Sequence, residues 1–220
     1  MKLRLFCARF VILAFSLGTS HLMSAQGPKS EPYGQGQGDS FETTYGGGLV
    51  TPPLPKPKFT LTDTSGAPFD LSLRTQGYVT LLFFGYTHCL DECPLQISNI
   101  ASAFKKIPAG IADQFKVVFV TTDPARDSPR VLRAWLDHFD KRFIGLTGSE
   151  AAIEAAQVAA KIPPARKTVP ANGDYEVGHA AFVLAYTKDN LAHVIYPVGV
   201  KQEDWAHDLP RLVKEDWTSR

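Results

Sequence analysis

Val79-Thr-Leu-Leu-Phe-Phe84-Gly85-Tyr86-Thr87-His88-Cys89-Leu90-Asp91-Glu92-Cys93-Pro94 begins as a short, continuously apolar run and ends in a proline that opens a helical pattern. The apolar run suits a strand buried on both faces at the centre of a sheet. Beyond Pro94, the residues Leu95, Ile97, Ile100, Ala103, Phe104 and Ile107 recur at helical spacing, with proline tolerated in the first turn. Cys89 and Cys93 therefore fall in the loop and first turn between strand and helix. There, unpaired backbone N–H groups and the helix dipole stabilise a thiolate.

Working outward, Phe59–Asp63 and Phe69–Leu73 alternate apolar and polar residues around Ser65-Gly66-Ala67-Pro68, the pattern of a β-hairpin. Lys116–Thr122 (KVVFVTT) reads as a second buried strand, and Pro129 opens a helix to about Phe139. Phe143–Leu146 is a short strand, and Ser149 caps a helix through Lys161. Ala180–Tyr186 and Ala192–Val198 are strands joined by the turn Lys188-Asp189-Asn190, and a last helix spans roughly Gln202–Trp217 around Pro210. Strands alternating with helices, closed by a hairpin and a helix, predict a thioredoxin-like three-layer α/β/α domain with an N-terminal β-hairpin. The pattern assigns this domain to residues 59–220.

Residues 26–58 are rich in Gly, Pro, Gln and Ser, with Gly46-Gly47-Gly48 and Pro52-Pro53-Leu54-Pro55-Lys56-Pro57. They read as a linker, flexible and then semi-rigid, that tethers the domain. Residues 1–25 have the layout of an export signal: Lys2, Arg4 and Arg9, an apolar stretch from Phe10 to Leu17, then small residues. The stretch is a signal peptide or an uncleaved N-terminal membrane anchor, and either places the domain in an oxidising compartment, the periplasm or the outer face of the inner membrane. Across 220 residues, 23 basic and 22 acidic side chains leave a formal charge of +1, which removes any general electrostatic case for nucleic-acid binding. Three cysteines exclude a disulfide framework, and Cys7 lies within the export segment.

The remaining pair supports two chemistries. As a dithiol–disulfide couple it exchanges electrons with partner thiols; as two soft thiolates it holds Cu(I). A histidine tips the balance. Gly178-His179 stands immediately before Ala180-Ala-Phe-Val-Leu-Ala-Tyr. In a thioredoxin-like sheet, the loop entering that strand lies beside the cysteine-bearing helix start. Two sulfurs plus this imidazole make a three-donor pocket suited to copper as Cu(I) or Cu(II), and zinc lacks the fourth donor of a structural site. His88 is expected to point away from Cys89, because neighbouring side chains diverge on leaving a strand. His138, His193 and His207 have no partner cysteine. In Asp123-Pro-Ala-Arg-Asp127-Ser128-Pro129, Asp127 or Ser128 caps the following helix, and Asp123 is a candidate for the outer shell of the metal.

With these residues in hand, the chain resembles the Sco/SenC family of copper-binding assembly factors for cytochrome c oxidase. The resemblance covers about residues 58–217. Its carriers are Phe84-Gly-Tyr-Thr-His-Cys-Leu-Asp-Glu-Cys-Pro, Val120-Thr-Thr-Asp-Pro-Ala-Arg-Asp-Ser-Pro and Gly178-His-Ala-Ala-Phe-Val, in that order. It implies a thioredoxin-like fold, copper held by Cys89, Cys93 and His179, and delivery of copper to the dinuclear centre of the oxidase's copper-bearing subunit. Other copper carriers or thiol reductants are further partners. The family often has Pro-Asp where this chain has Leu90-Asp91, and Asp where it has Gly178. The segment Ile162–Gly173, rich in proline and polar residues, reads as a mobile loop near the metal. The expected activity is that of an exported metallochaperone, a carrier rather than an enzyme. The alternative is a periplasmic thiol–disulfide reductase in which Cys89 and Cys93 are the catalytic pair.

Overall fold

The strand-to-helix stretch takes the form its pattern dictates. In the computed structural model, which describes residues 45–169 and 175–217, β4 (Val79–Gly85) is buried at every position and α2 (Glu92–Phe104) follows after a six-residue loop. Successive β4 side chains face opposite sides of the sheet, so each side needs its own cover. Val79, Leu81 and Phe83 pack with Ile97 and Ile100 of α2, while Leu82 and Phe84 join a second core.

β4 pairs in parallel with β5 (Phe115–Thr121), and β5 in parallel with β6 (Ile144–Thr147). The crossovers contain α2 with the short α3 (Ala109–Ala112), and α4 (Pro129–Asp137). On its other side β4 pairs antiparallel with β9 (Val183–Tyr186), the first strand of a hairpin with β10 (Leu191–Tyr196). The hairpin of β2 (Thr60–Asp63) and β3 (Pro68–Asp70) extends the β6 edge, and β1 (Gly48–Pro55) closes the β10 edge. The eight strands run β1-β10-β9-β4-β5-β6-β2-β3.

Leu132 and Leu136 of α4 and Trp205 and Leu209 of α6 (Gln202–Lys214) lie in the same core as α2. Ile153 and Ala156 of α5 (Glu150–Ala159) and Leu71 of α1 (Leu71–Arg74) lie in the other. This is the three-layer α/β/α, thioredoxin-like arrangement expected, N-terminal hairpin included. Ser149 caps α5 as read from sequence, accepting the Ala152 N–H at 3.2 Å.

Three segments differ from the sequence reading. The linker assigned to residues 26–58 does not extend that far, because β1 occupies Gly48–Pro55 and pairs with β10 through a bulge between Leu49 and Leu54. Prolines, which lack an N–H, are tolerated at a sheet edge, so composition alone hides this strand. Lys56 is buried, its amine donating to the Thr75 and Thr80 hydroxyls at 3.1 Å each, and burial lowers its pKa to about 8. Gly47 reflects close approach rather than flexibility: a Cβ there would sit 2.5 Å from the Ile195 carbonyl oxygen. The rest of the linker before residue 45, and the export segment 1–25, lie outside the described residues.

The second strand of the first hairpin ends at Asp70. That carboxylate accepts the Leu73 N–H at 2.9 Å and caps α1, so residues 71–73 turn into helix instead of continuing the strand. The third difference is in Ile162–Gly173. Residues Arg166–Thr168 form β7, paired antiparallel with β8 (Glu176–Gly178), and a Lys167–Glu150 ion pair ties β7 to α5. Residues 170–173 of that segment lie outside the described ones. Among the described residues, no helix is long and apolar enough to cross a membrane.

Candidate metal centre

The centre lies past the carboxyl ends of β4 and β5, where ligands gather in α/β sheets. Cys89 sits in the β4–α2 loop, partly exposed; Cys93 lies in the first turn of α2, fully buried. Gly85, the last residue of β4, makes room for it: a Cβ there would lie 2.7 Å from the Cys93 sulfur and 3.0 Å from the Phe119 ring. His179 follows β8 directly and leads toward β9, so the β7–β8 hairpin carries it to the cysteines. Its Nε2 lies 3.4 Å from the Cys93 sulfur, and the three donor atoms all fall within 4.8 Å of one another. Tyr86 meets the imidazole edge-on, with ring centroids 5.5 Å apart.

The two thiols are electrostatically unequal. The Cys93 thiol donates to the Cys89 sulfur, and this bond leads the causes that lower the Cys89 pKa to about 4. The Cys93 backbone N–H, 3.4 Å from that sulfur at the start of α2, and His179 add to it, while burial opposes them. Cys93 moves the other way, its pKa raised by the bond to Cys89, by burial and by the neighbouring negative sulfur. The pair thus gives up one proton readily and holds the second.

The consequence is a measurable pH profile. An ordinary thiol alkylates about tenfold faster per pH unit below its pKa, because its thiolate fraction grows. Above about pH 4 the Cys89 thiolate is already formed, so its alkylation by iodoacetamide in the reduced, metal-free protein should stay flat from about pH 6 to 8. It should fall only as acid approaches pH 4, with Cys93 inert throughout. A Cys89 rate that climbs tenfold per unit across that range would contradict this reading.

The remaining predicted residues divide. His88 is half-exposed and is not among the three converging donors, its Nδ1 lying 3.1 Å from the Thr87 hydroxyl. Asp123 is fully buried, but its partners are Thr121, Arg126, Tyr175 and Lys167, none of them a donor of the centre. It holds the wall of the cleft instead. The Tyr175 hydroxyl donates to it at 2.8 Å, and the Arg126 guanidinium lies 3.9 Å over the Tyr175 ring. Ser128 caps α4, accepting the Val131 N–H at 3.3 Å; Asp127 instead receives hydrogen bonds from Thr87 and Thr121. The sequence reading gives Tyr86, Thr87 and Tyr175 no role of their own, since polar groups joined over long separations leave no periodic signal. The one available cue was the adjacency of Tyr86 and Thr87 to the cysteines. His179 Nδ1 is buried and meets no hydrogen-bond partner among the described residues, which accords with glycine at position 178.

The centre opens into a cleft of about 590 Å³ lined by Cys89, Leu90, Glu92, Arg126, Tyr175 and His179, among others. Two sulfurs and an imidazole nitrogen, of which Cys89 and His179 line the cleft and Cys93 is buried behind them, can hold a soft metal ion with a side left open, or exchange electrons with a partner's thiols.

Comparison with known proteins bears on the family and the fold. Residues 51–214 match the family described as SCO1/SenC. A protein of Stutzerimonas stutzeri named as copper-binding is 36% identical over 162 residues, spanning 73% of this chain and 78% of the relative. Among solved structures, ScoI of Bradyrhizobium japonicum with copper bound has 31% identity and a TM-score of 0.62, covering 73% of this chain and 99% of that one. Apo Sco1 from Thermus thermophilus has 30% identity and a TM-score of 0.69, covering 79% of this chain and 100% of that one.

Proposed function

The chain belongs to the SCO1/SenC family, and on that premise we propose that it is an exported carrier that takes copper as cargo on Cys89, Cys93 and His179 and passes it to the copper-bearing subunit of cytochrome c oxidase. The observation that carries this reading is the convergence of two early sulfurs and one late nitrogen within 4.8 Å. Thiolates suit Cu(I), and an added imidazole admits Cu(II). Among the described residues no fourth His, Cys, Asp or Glu joins the group, so the full shell of structural zinc is missing. An incomplete shell facing an open cleft favours hand-over by ligand exchange above permanent storage. The basic and apolar export segment supports action in the periplasm or at the outer face of the inner membrane.

One observation favours a second reading, a thiol–disulfide reductase. A partly exposed, acidic Cys89 beside a buried Cys93 is the arrangement of an attacking and a resolving thiol. The Cys89 thiolate would attack a partner disulfide, releasing one partner thiolate and forming a mixed disulfide. Cys93, losing its proton, would then close the Cys89–Cys93 bond and release the second partner thiolate, so two electrons pass to the partner. The test is metal analysis of the full protein recovered from its own compartment without chelators. About one copper per chain is the outcome expected of a carrier with one site. Copper-free protein with an intact dithiol or disulfide would overturn the carrier reading in favour of the reductase.

A further inference from the structure

A buried carboxylate anchors the loop that carries Cys89, beside the loop's own Cys89 N–H to Tyr86 carbonyl bond at 3.2 Å. Asp127 is fully buried, and a polar side chain withdrawn from water is retained only where hydrogen-bond partners replace the lost hydration. Three donors do so. The Thr87 N–H reaches Oδ2 at 2.9 Å, the Thr87 hydroxyl reaches Oδ1 at 2.6 Å, and the Thr121 hydroxyl reaches Oδ2 at 2.6 Å. The two hydroxyl distances lie at the short end of the O–H···O range. Thr121 ends β5 in the sheet, whereas Thr87 stands two residues before Cys89 in the turn 86–89. Capping does not explain the residue, because Ser128 caps α4.

The same pair restrains an imidazole. His88 Nδ1 lies 3.1 Å from the Thr87 hydroxyl and 3.7 Å from Asp127 Oδ1, although His88 lines the same cleft as Cys89 and His179. A second imidazole beside two thiolates and His179 would complete a two-sulfur, two-nitrogen set, the donor complement of structural zinc. We propose that Asp127, acting through Thr87, is a positioning residue of the metal centre: it fixes the loop that presents Cys89 and holds His88 outside the donor set. This rests on the copper-carrier reading for its purpose, but its geometry can be tested without copper.

The test uses the full chain with Asp127→Ala, the double variant Asp127→Ala/His88→Ala, and the pair Thr87→Val and Thr87→Ser. In the metal-free protein, amide hydrogen exchange at residues 86–89 should accelerate about tenfold or more in Asp127→Ala, as expected for losing one hydrogen bond. Exchange in β4 and β5 should not change. With zinc alone, Asp127→Ala should bind at least about tenfold more tightly than the parent, and the double variant should lose that gain. With Cu(II) alone, the electron paramagnetic resonance spectrum should show one coupled imidazole nitrogen in the parent, two in Asp127→Ala, and one again in the double variant.

Exchange and metal binding in Asp127→Ala that match the parent would overturn the proposal. So would local loosening without any gain of a nitrogen or of zinc affinity, since a purely structural role gives that result. Should the parent show no copper–sulfur ligation, the carrier reading fails, while the exchange and zinc measurements still decide the role of Asp127. Should Asp127→Ala lose protection throughout the sheet, the Thr87 pair decides: valine should loosen residues 86–89 and admit His88, and serine should restore both. A valine variant identical to the parent would then refute the proposal.

Discussion

Serine at position 93 is expected to abolish stable copper retention while the fold survives. Cys93 is fully buried in the first turn of α2, and serine, close in size, costs chiefly the burial of a hydroxyl. That penalty is about 1–3 kcal/mol, and a chain of this size loses roughly 2–4 °C of melting temperature per kcal/mol. The effect on the metal is far larger. Replacing one of two soft sulfurs by a hard oxygen removes the feature that selects Cu(I). A loss on the order of a thousandfold in affinity, about 4 kcal/mol, is expected. Competition against a Cu(I) chelator, with a thermal melt as control, measures both quantities. A folded Cys93→Ser variant that keeps the parent's copper affinity would remove Cys93 from the donor set. The variant does not separate carrier from reductase, because both need this sulfur.

His179→Ala does separate them. Electron exchange needs only the two thiols, whereas the carrier reading needs the nitrogen 3.4 Å from Cys93. The Cys89 thiolate owes its stability first to the Cys93 thiol, with His179 a smaller contributor, so dithiol oxidation and alkylation should survive the substitution largely intact. Cu(II) retention should fall by about a hundredfold or more, beyond the 10–100-fold that loss of an outer-sphere partner costs. Cu(I) should fall less, since two thiolates alone satisfy its low coordination. Unchanged Cu(II) retention would mean that the histidine is not a ligand and that only the redox reading stands.

How much of this was legible depended on the physical signal each part carries. β4 and β5, apolar along nearly their whole length, announce burial on both faces, and α2 declares itself by periodicity. Leu95 is the exception: it is exposed, because Cys93, Gln96, Ile97 and Ile100 form the buried face of that part of α2 and Leu95 lies off it. The thioredoxin-like topology was enough to bring His179 to the cysteines, although the residue enters on β8, a strand whose exposed Arg-Lys-Thr partner carries no amphipathic pattern. β1 was hidden by prolines that an edge position tolerates. Asp127 and Ser128 both read as candidate caps from Asp-Ser-Pro, and Ser128 is the one that caps. The actual partner of Asp127, Thr87, is 40 residues away, and only the parallel pairing of β4 with β5 brings the two together.

The central claim is that an imidazole delivered by a late hairpin completes a donor set begun by two cysteines at a helix start. The most direct measurement is copper K-edge X-ray absorption on the copper-loaded full chain and on its His179→Ala variant. Two sulfurs and one imidazole nitrogen in the parent, with the nitrogen absent from the variant, is the expected result. Identical spectra from the two proteins, or a parent shell without both sulfurs, would contradict the account.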